Sequence, residues 1–179
     1  MSCAAAGRAE FVTRYGVDAA REAAAVGAHR EAASHWARIL EYGALLSDEK
    51  RAEFSEAYAY ELYLTGQIAE AQSMRERALE LRLGLQDRVR AGDNMRWLSR
   101  IAWSVGDRPR AADLAERAVA RLEQGPACRE LAYALSNRSM LAMLGGKTSE
   151  ALEHGARAIE LAQPLRTHGR RSAVPTSVP

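Results

Sequence analysis

Gly146-Lys147-Thr148 has the ending of a phosphate-cradling loop, in which backbone N–H groups and a lysine hold the anion. That loop also needs a glycine five residues before Gly146, where Leu141 stands, and a preceding strand, where helix is expected. The histidines are His29, His35, His154 and His168. His29 and His35 are six residues apart, which places them on different helix faces, and the pairing of two histidines four apart beside a glutamate is absent. They are expected to be surface residues. Cys3 and Cys128 have no metal-ligand spacing and read as free thiols, consistent with a reducing, cytoplasmic compartment. No Gly-x-Ser-x-Gly elbow occurs, and the many carboxylates stand where helical residues solvate an outer face or pair with arginine. These residues predict no catalytic, cofactor or metal site, and so a binding module rather than an enzyme.

Composition supports that direction. The chain has 179 residues, the length of one ordinary domain, and is 47% hydrophobic but only 6% aromatic. Much of the apolar content is alanine, which loses no side-chain entropy in a helix. Leu, Glu and Arg fill most of the rest, and β-branched residues are scarce before the C-terminal tail. The prediction is all-α. Lys+Arg 25 against Asp+Glu 23 leaves a net charge of +2, mixed along the helices rather than gathered on one face, which argues against nucleic acid as a partner. No apolar run is long enough to span a bilayer, and Arg8 and Glu10 follow too closely on the N-terminus for a convincing signal peptide.

The elements that must position any site come from a repeat. Gly27, Gly66, Gly106 and Gly146 are spaced 39, 40 and 40 residues apart. Five residues after each stands an alanine (Ala32, Ala71, Ala111, Ala151), and twelve after each come Ile39, Ala78, Ala118 and Ala158, followed by Leu40, Leu79, Val119 and Ile159. A period of about 40 marks a solenoid of stacked supersecondary units. Each glycine ends one helix, and the small residues beyond it let the next helix approach closely. Four hairpins are expected, over about Val17–Tyr42, Asp48–Leu83, Ala91–Glu123 and Ala127–Gln163. Ser47-Asp48 and Gly92-Asp93 offer helix starts, Gly125-Pro126 a turn, Pro109 a first-turn proline, and Pro164 the end of the last helix. The domain division is then a ragged or partly helical start at 1–16, the repeat domain at 17–164, and a disordered Ser/Thr/Pro/Arg-rich tail at 165–179.

The Gly, plus-five Ala, plus-twelve small frame resembles the tetratricopeptide repeat. Glu76-Arg77-Ala78-Leu79-Glu80-Leu81 looks like that repeat's second-helix ending, and Ala127 to Leu144, with Asn137, like its first helix. A right-handed superhelical solenoid is implied, with the first helix of each hairpin lining the concave face. By resemblance, concave positions fall 13, 10, 6 and 3 residues before each glycine. These are Arg14, Val17, Arg21 and Ala24 in the first hairpin, and Glu53, Glu56, Tyr60 and Tyr63 in the second. In the third they are Asp93, Arg96, Arg100 and Trp103, and in the fourth Tyr133, Ser136, Met140 and Met143. Aromatic, Arg and Met residues are enriched at interfaces, so a protein or peptide partner is implied. The alternative placement of Tyr60, Tyr63, Trp103 and Met143 is between hairpins. Trp36 and Trp97 are read as inter-hairpin core.

A narrower resemblance is to the helical-repeat region of large ATP-binding LuxR-type transcriptional regulators. It rests on Gly27-Ala28-His29-Arg30-Glu31-Ala32-Ala33, Ala59-Tyr60-Glu61-Leu62-Tyr63-Leu64-Thr65-Gly66, Arg96-Trp97-Leu98-Ser99-Arg100 and Glu130-Leu131-Ala132-Tyr133-Ala134-Leu135-Ser136-Asn137, in that order. It implies a relay or sensor module contacting other regulator domains. A stand-alone adaptor and a small-molecule sensor remain as alternatives. Helix B of the fourth hairpin ends in Ala158, Ile159 and Ala162 without an obvious polar cap, so an apolar end is expected there, for a homodimer or for docking further helices.

Overall fold

In the computed structural model the backbone is described for residues 3–171 and side chains for residues 14–163; within them the chain is helical throughout, with no strand. The helices form four hairpins: α1 (Cys3–Ala25) with α2 (His29–Leu40), α3 (Asp48–Leu64) with α4 (Ile68–Gly84), α5 (Arg88–Ser104) with α6 (Arg108–Leu122), and α7 (Arg129–Leu144) with α8 (Thr148–Arg171). A 3-10 turn at Gly43–Leu45 leads from the first hairpin to the second. Each helix packs on the next in sequence, and α5 also packs on α7. The expected all-α helical-repeat solenoid is what forms.

One turn is used four times. Gly27, Gly66, Gly106 and Gly146 have φ of 78°, 81°, 84° and 74°, the left-handed region closed to most side chains. The following residue (Ala28, Gln67, Asp107, Lys147) donates its N–H to the carbonyl five residues back (Ala23, Leu62, Ala102, Ala142) at 2.8–2.9 Å. This six-to-one bond satisfies a carbonyl that the helix end would otherwise leave orphaned, and it reverses the chain at a fixed angle. The partner helix then packs through its small residues. Ala32, Ala71 and Ala111 are fully buried, as are Ile39, Ala78 and Ala118. In the last repeat the same positions open up: Ala158 is still buried, Ala151 only partly, and Ile159 is 61% exposed, with no further hairpin packed on it among the described residues.

A second device recurs in the later hairpins. Ser99 Oγ donates to the Ala111 carbonyl at 2.8 Å, and Ser139 Oγ to the Ala151 carbonyl at 2.7 Å. Both serines lie seven residues before the turn glycine, so each ties its first helix to the alanine column of the second. Buried backbone and side-chain groups are thereby paired where the helices touch.

Three boundaries differ from expectation. The third hairpin starts at Arg88, not at Gly92-Asp93, because Asp87 caps α5 by accepting from the Arg90 N–H at 3.0 Å. The preceding turn is a further copy of the hairpin turn: Gln86 has φ 56°, and the Asp87 N–H reaches the Arg82 carbonyl at 2.9 Å. Glutamine there hides the signal that glycine gives elsewhere. Gly92 instead lies inside α5, where a Cβ would come within 2.5 Å of Leu122 Cγ, so it sets the close crossing of α5 and α6. At the N-terminus the α1 backbone is helical from Cys3, well before Val17. At the other end α8 runs past Pro164 to Arg171, since an interior proline removes one backbone bond without ending helical geometry on either side. The remainder of the expected tail, 172–179, lies outside the described residues. Ser47 caps α3, accepting from the Lys50 N–H at 3.4 Å, and Pro109 stands in the first turn of α6, both as expected.

Two substitutions test this geometry with opposite signs. Gln86→Gly should raise unfolding free energy by about 1 kcal/mol, by removing a side chain from the left-handed region. Gly92→Ala should lower it by about 1–3 kcal/mol, because overpacking against fully buried Leu122 outweighs alanine's helix preference. Urea denaturation reads both; a Gly92→Ala protein as stable as the parent would show that the α5–α6 crossing is loose.

Candidate functional site

Side chains of consecutive odd-numbered helices touch along one face. Arg21 on α1 reaches Glu53 on α3 at 3.3 Å. Tyr60 and Tyr63 on α3 meet Trp97 on α5, with ring centroids 5.5 and 5.7 Å apart in edge-to-face geometry. Arg96 on α5 stacks over Tyr133 on α7 at 5.6 Å. The even-numbered helices form the other layer, bridged by Arg110 to Glu76 at 2.5 Å and Arg157 to Glu123 at 2.5 Å.

Trp97 is the hub of the odd-helix face. Three guanidinium groups lie over its ring, from Arg96 at 4.8 Å, Arg75 at 5.1 Å and Arg100 at 5.4 Å. Cations are drawn to the negative face of an indole, and edge-on tyrosines to the same quadrupole, so the cluster is electrostatically consistent. Arg75 is 5% exposed and fills the space on the core side. Burial pushes its guanidinium down to about 10, against the pull of Asp93 and Glu56, and its Nη1 donates to Asn94 Oδ1 at 3.1 Å. Trp97 itself is half-buried. Trp36 is the core tryptophan expected, packed on Phe54 at 5.5 Å and buried, whereas Trp97 packs between hairpins against α3 without being fully covered.

The predicted site residues divide. Tyr60 and Tyr133 are exposed, 41% and 50%, and Tyr63 is half-buried, so this aromatic set does line the face. Arg96 is held against Asp93 at 2.7 Å, with both side chains mostly covered. Arg100 is half-buried on Trp97 and pairs with no carboxylate among the described residues; its Nε has no hydrogen-bond partner there. Glu53 is exposed and spent on Arg21. Ser136 and Met143 are exposed and Met140 is half-buried. In the first hairpin Arg14 and Arg21 are exposed, whereas Val17 packs in the core around Ile39 and Ala24 is partly covered. Trp103 stands apart from the Trp97 cluster, half-buried with the Arg108 guanidinium 5.5 Å over its ring.

Glu56 is a correction. It is 7% exposed, because Arg82 reaches back from the end of α4 and grips it with two bonds, Nε to Oε1 at 2.9 Å and Nη2 to Oε2 at 3.1 Å. Asn94 Nδ2 donates to the same Oε1 at 2.7 Å. Burial works against the charge on Arg82, but the hydrogen bonds and charge of Glu56 outweigh it and hold the guanidinium above its ordinary range. Glu56, Arg82, Asn94 and Arg75 thus form one buried polar network joining α3, α4 and α5. A signal existed: aligned on the turn glycines, Arg75 takes the place of Trp36 and Ala115, and Arg82 that of Gly43 and Leu122. A charge at a core position of a repeat needs a buried partner.

The histidine expectation also needs correction. His29 Nδ1 meets the buried Glu61 Oε2 at 2.7 Å, joining the first two hairpins, and His154 is 8% exposed. Gly146-Lys147-Thr148 is a hairpin turn, with Lys147 Nζ 3.1 Å from Glu150. Among the described residues no helix is long and apolar enough to cross a membrane. Among the described residues of the terminal helix, Leu152 and Ile159 are exposed large apolar side chains, while Ala158, expected beside Ile159, is buried in the core around Leu135.

No protein-family model matches the chain, and no curated protein is significantly similar in sequence. Solved structures are similar in fold. One is BtubC (BKLC) from P. vanneervenii, with TM-score 0.70 and 19% identity, covering 89% of this chain and 65% of that one. A Podosopora anserina putative kinesin light chain with nearly identical TPR-like repeats gives TM-score 0.67 and 17% identity, over 93% and 78%. MamA gives TM-score 0.65 and 15% identity, over 89% and 81%. The chain therefore spans just under two thirds of the BtubC structure. The tetratricopeptide-like fold expected from the repeat frame stands on these likenesses; the resemblance to LuxR-type regulators rests on its four stretches alone.

Removing one partner of the buried network should be costly. Glu56→Ala strips buried Arg82 of its bidentate partner, leaving it Asp87 at 3.4 Å, and should cost about 3 kcal/mol in urea denaturation. Glu56→Leu combined with Arg82→Met should cost clearly less than Glu56→Ala alone. Equal losses in the two proteins would show that the pair is not coupled.

Proposed function

We propose that this chain is a protein-interaction module that holds a segment of a partner protein along the odd-helix face, over Trp97. The observation that carries this reading is the cluster itself. A half-buried tryptophan, flanked by Tyr60, Tyr63 and Tyr133 and backed by arginines, combines the residue types that dominate binding energy at interfaces. Arg75, Arg96 and Asp93 brace it from behind, so little side-chain freedom is lost when a partner lands. Arg100 supplies a charge with no carboxylate partner among the described residues, suited to an acidic side chain of the partner. Tetratricopeptide-like neighbours in fold make an elongated binding face a natural use of the scaffold. A cytoplasmic location belongs to the same reading and rests on cysteines without disulfide or metal spacing. So does a homodimer contact on the outer face of α8, where Leu152 and Ile159 are exposed.

A relay role inside a LuxR-type regulator is the second reading, favoured by the four ordered stretches of resemblance. A native polypeptide several times the 19.6 kDa of this chain on immunoblot would support it, and a band at that size would remove it.

Peptides selected from a display library on the parent protein provide the test. Their affinity should fall about tenfold or more in Tyr60→Ala, Tyr133→Ala and Arg100→Gln, each truncating an interface-type contact. It should be unchanged in Arg117→Ala, on the even-helix layer. Selected peptides indifferent to all three face substitutions would refute the proposed face.

A further inference from the structure

A second concavity lies apart from the Trp97 cluster, where the third and fourth hairpins meet. Its volume is about 290 Å³, and it is walled by Trp103 from α5, by α6, by Arg138 and Leu141 from α7, and by Lys147 and His154 at the start of the fourth hairpin's second helix. That size suits a small ligand rather than a peptide. Ala112, Ala115, Ala142, Leu141 and Leu144 form an apolar lining, and Trp103 adds an indole.

The lining charges are of both signs with a small positive excess. Arg108, Arg138 and Lys147 face Glu116 and Glu150, an excess of one positive charge. Lys147 is engaged by Glu150, and Arg108 lies over Trp103. Arg138 pairs with no carboxylate among the described residues. His154 is more than nine-tenths buried, and its Nδ1 has no hydrogen-bond partner in the described structure. Burial, with Arg138 nearby, holds its imidazole below the ordinary histidine range, so at neutral pH it is an uncharged ring with one ring nitrogen unsatisfied. That nitrogen is enclosed by protein atoms, so what His154 offers the cavity is an uncharged ring in its wall. At the equivalent position eight residues after the turn glycine, the second and third hairpins carry Met74 and Leu114. The first carries His35, which is half-buried and lies 3.9 Å from Glu31. A buried imidazole at this position is therefore particular to the fourth hairpin.

We propose that this cavity binds a small aromatic carboxylate. Its ring rests on the apolar lining beside Trp103 and the uncharged His154, and its carboxylate pairs with Arg138. The site is independent of the partner face over Trp97.

The test titrates the full chain with benzoate and indole-3-acetate, and in parallel with benzamide and indole-3-acetamide, which keep the ring and lose the charge. Amide and indole N–H shifts in ¹H–¹⁵N spectra locate binding, and calorimetry gives affinity. The expected result is saturable shifts at Trp103, Leu141, Gly145 and Lys147, with the acids bound at least about tenfold tighter than the amides, as expected for a charge-assisted pair. Arg138→Gln, a solvent-reaching substitution unlike one at buried His154, should weaken the acids about tenfold and leave the amides unchanged. Tyr60→Ala should leave them all unchanged. The proposal is overturned if neither acid gives saturable shifts, if acids and amides bind equally, if Arg138→Gln binds the acids like the parent, or if the shifts centre on Trp97.

Discussion

Everything in this solenoid hangs on how closely two helices can approach after a left-handed turn. The six-to-one hydrogen bond at each turn glycine fixes where the second helix starts and in which direction it leaves. Once that is set, the residue five positions on must be small, because it faces the first helix at its nearest point, and the residue seven further on meets the same surface two turns later. Alanine satisfies both conditions in the second and third hairpins. Because every unit obeys the same rule, each hairpin presents nearly the same surface to the next, and stacking can continue without a new solution at each step.

Close approach through alanine has a consequence for stability. An alanine buries little apolar area, so such columns contribute less hydrophobic free energy than columns of leucine would. The molecule compensates at particular joints with larger groups. Trp36 on Phe54, Ile101 against Leu62, and Leu122 against Leu135 and Leu131 carry apolar burial between hairpins. The joint between α3, α4 and α5 uses a charged network instead. A buried ion pair is weak as a source of stability but demanding in geometry. Glu56, Arg82 and Asn94 satisfy one another in one register of the hairpins and in no slipped one, which suits a repeat whose similar units could otherwise pair out of order.

The repeat, the hairpin count and the first-turn proline were legible in the sequence because each follows from a local rule: glycine at positive φ, alanine at the crossing, Pro109 where no N–H is needed. Gln86 escaped because a left-handed residue that is not glycine has no compositional mark. Gly92 was misplaced for the converse reason, since a glycine needed for close helix crossing looks identical to one needed for a turn. Tyr60, Tyr133 and Arg96 were legible as neighbours on one face because that depends only on helical phase. Glu56 did not, because its fate is decided by Arg82, 26 residues away. Trp97 was drawn to the core by its size, whereas the structure gives the core space behind it to Arg75.

Positions at which one hairpin departs from its siblings are therefore where this chain's individuality lies. Nine residues before the turn glycine stand Asp18, Ala57, Trp97 and Asn137; eight after it stand His35, Met74, Leu114 and His154. A position held only for packing would converge on a few interchangeable apolar residues, as the plus-five column does on alanine. Trp97 and His154 do the opposite: each introduces into its hairpin a group that needs partners its neighbours do not provide elsewhere. For Trp97 those partners are arginines and tyrosines from three helices. For His154 the cavity supplies Arg138 and an indole, while its Nδ1 is left unmatched in the described structure. A scaffold that could have been filled with leucine at both places carries the cost of polarity at each, and these are the two places proposed to meet a partner and a ligand.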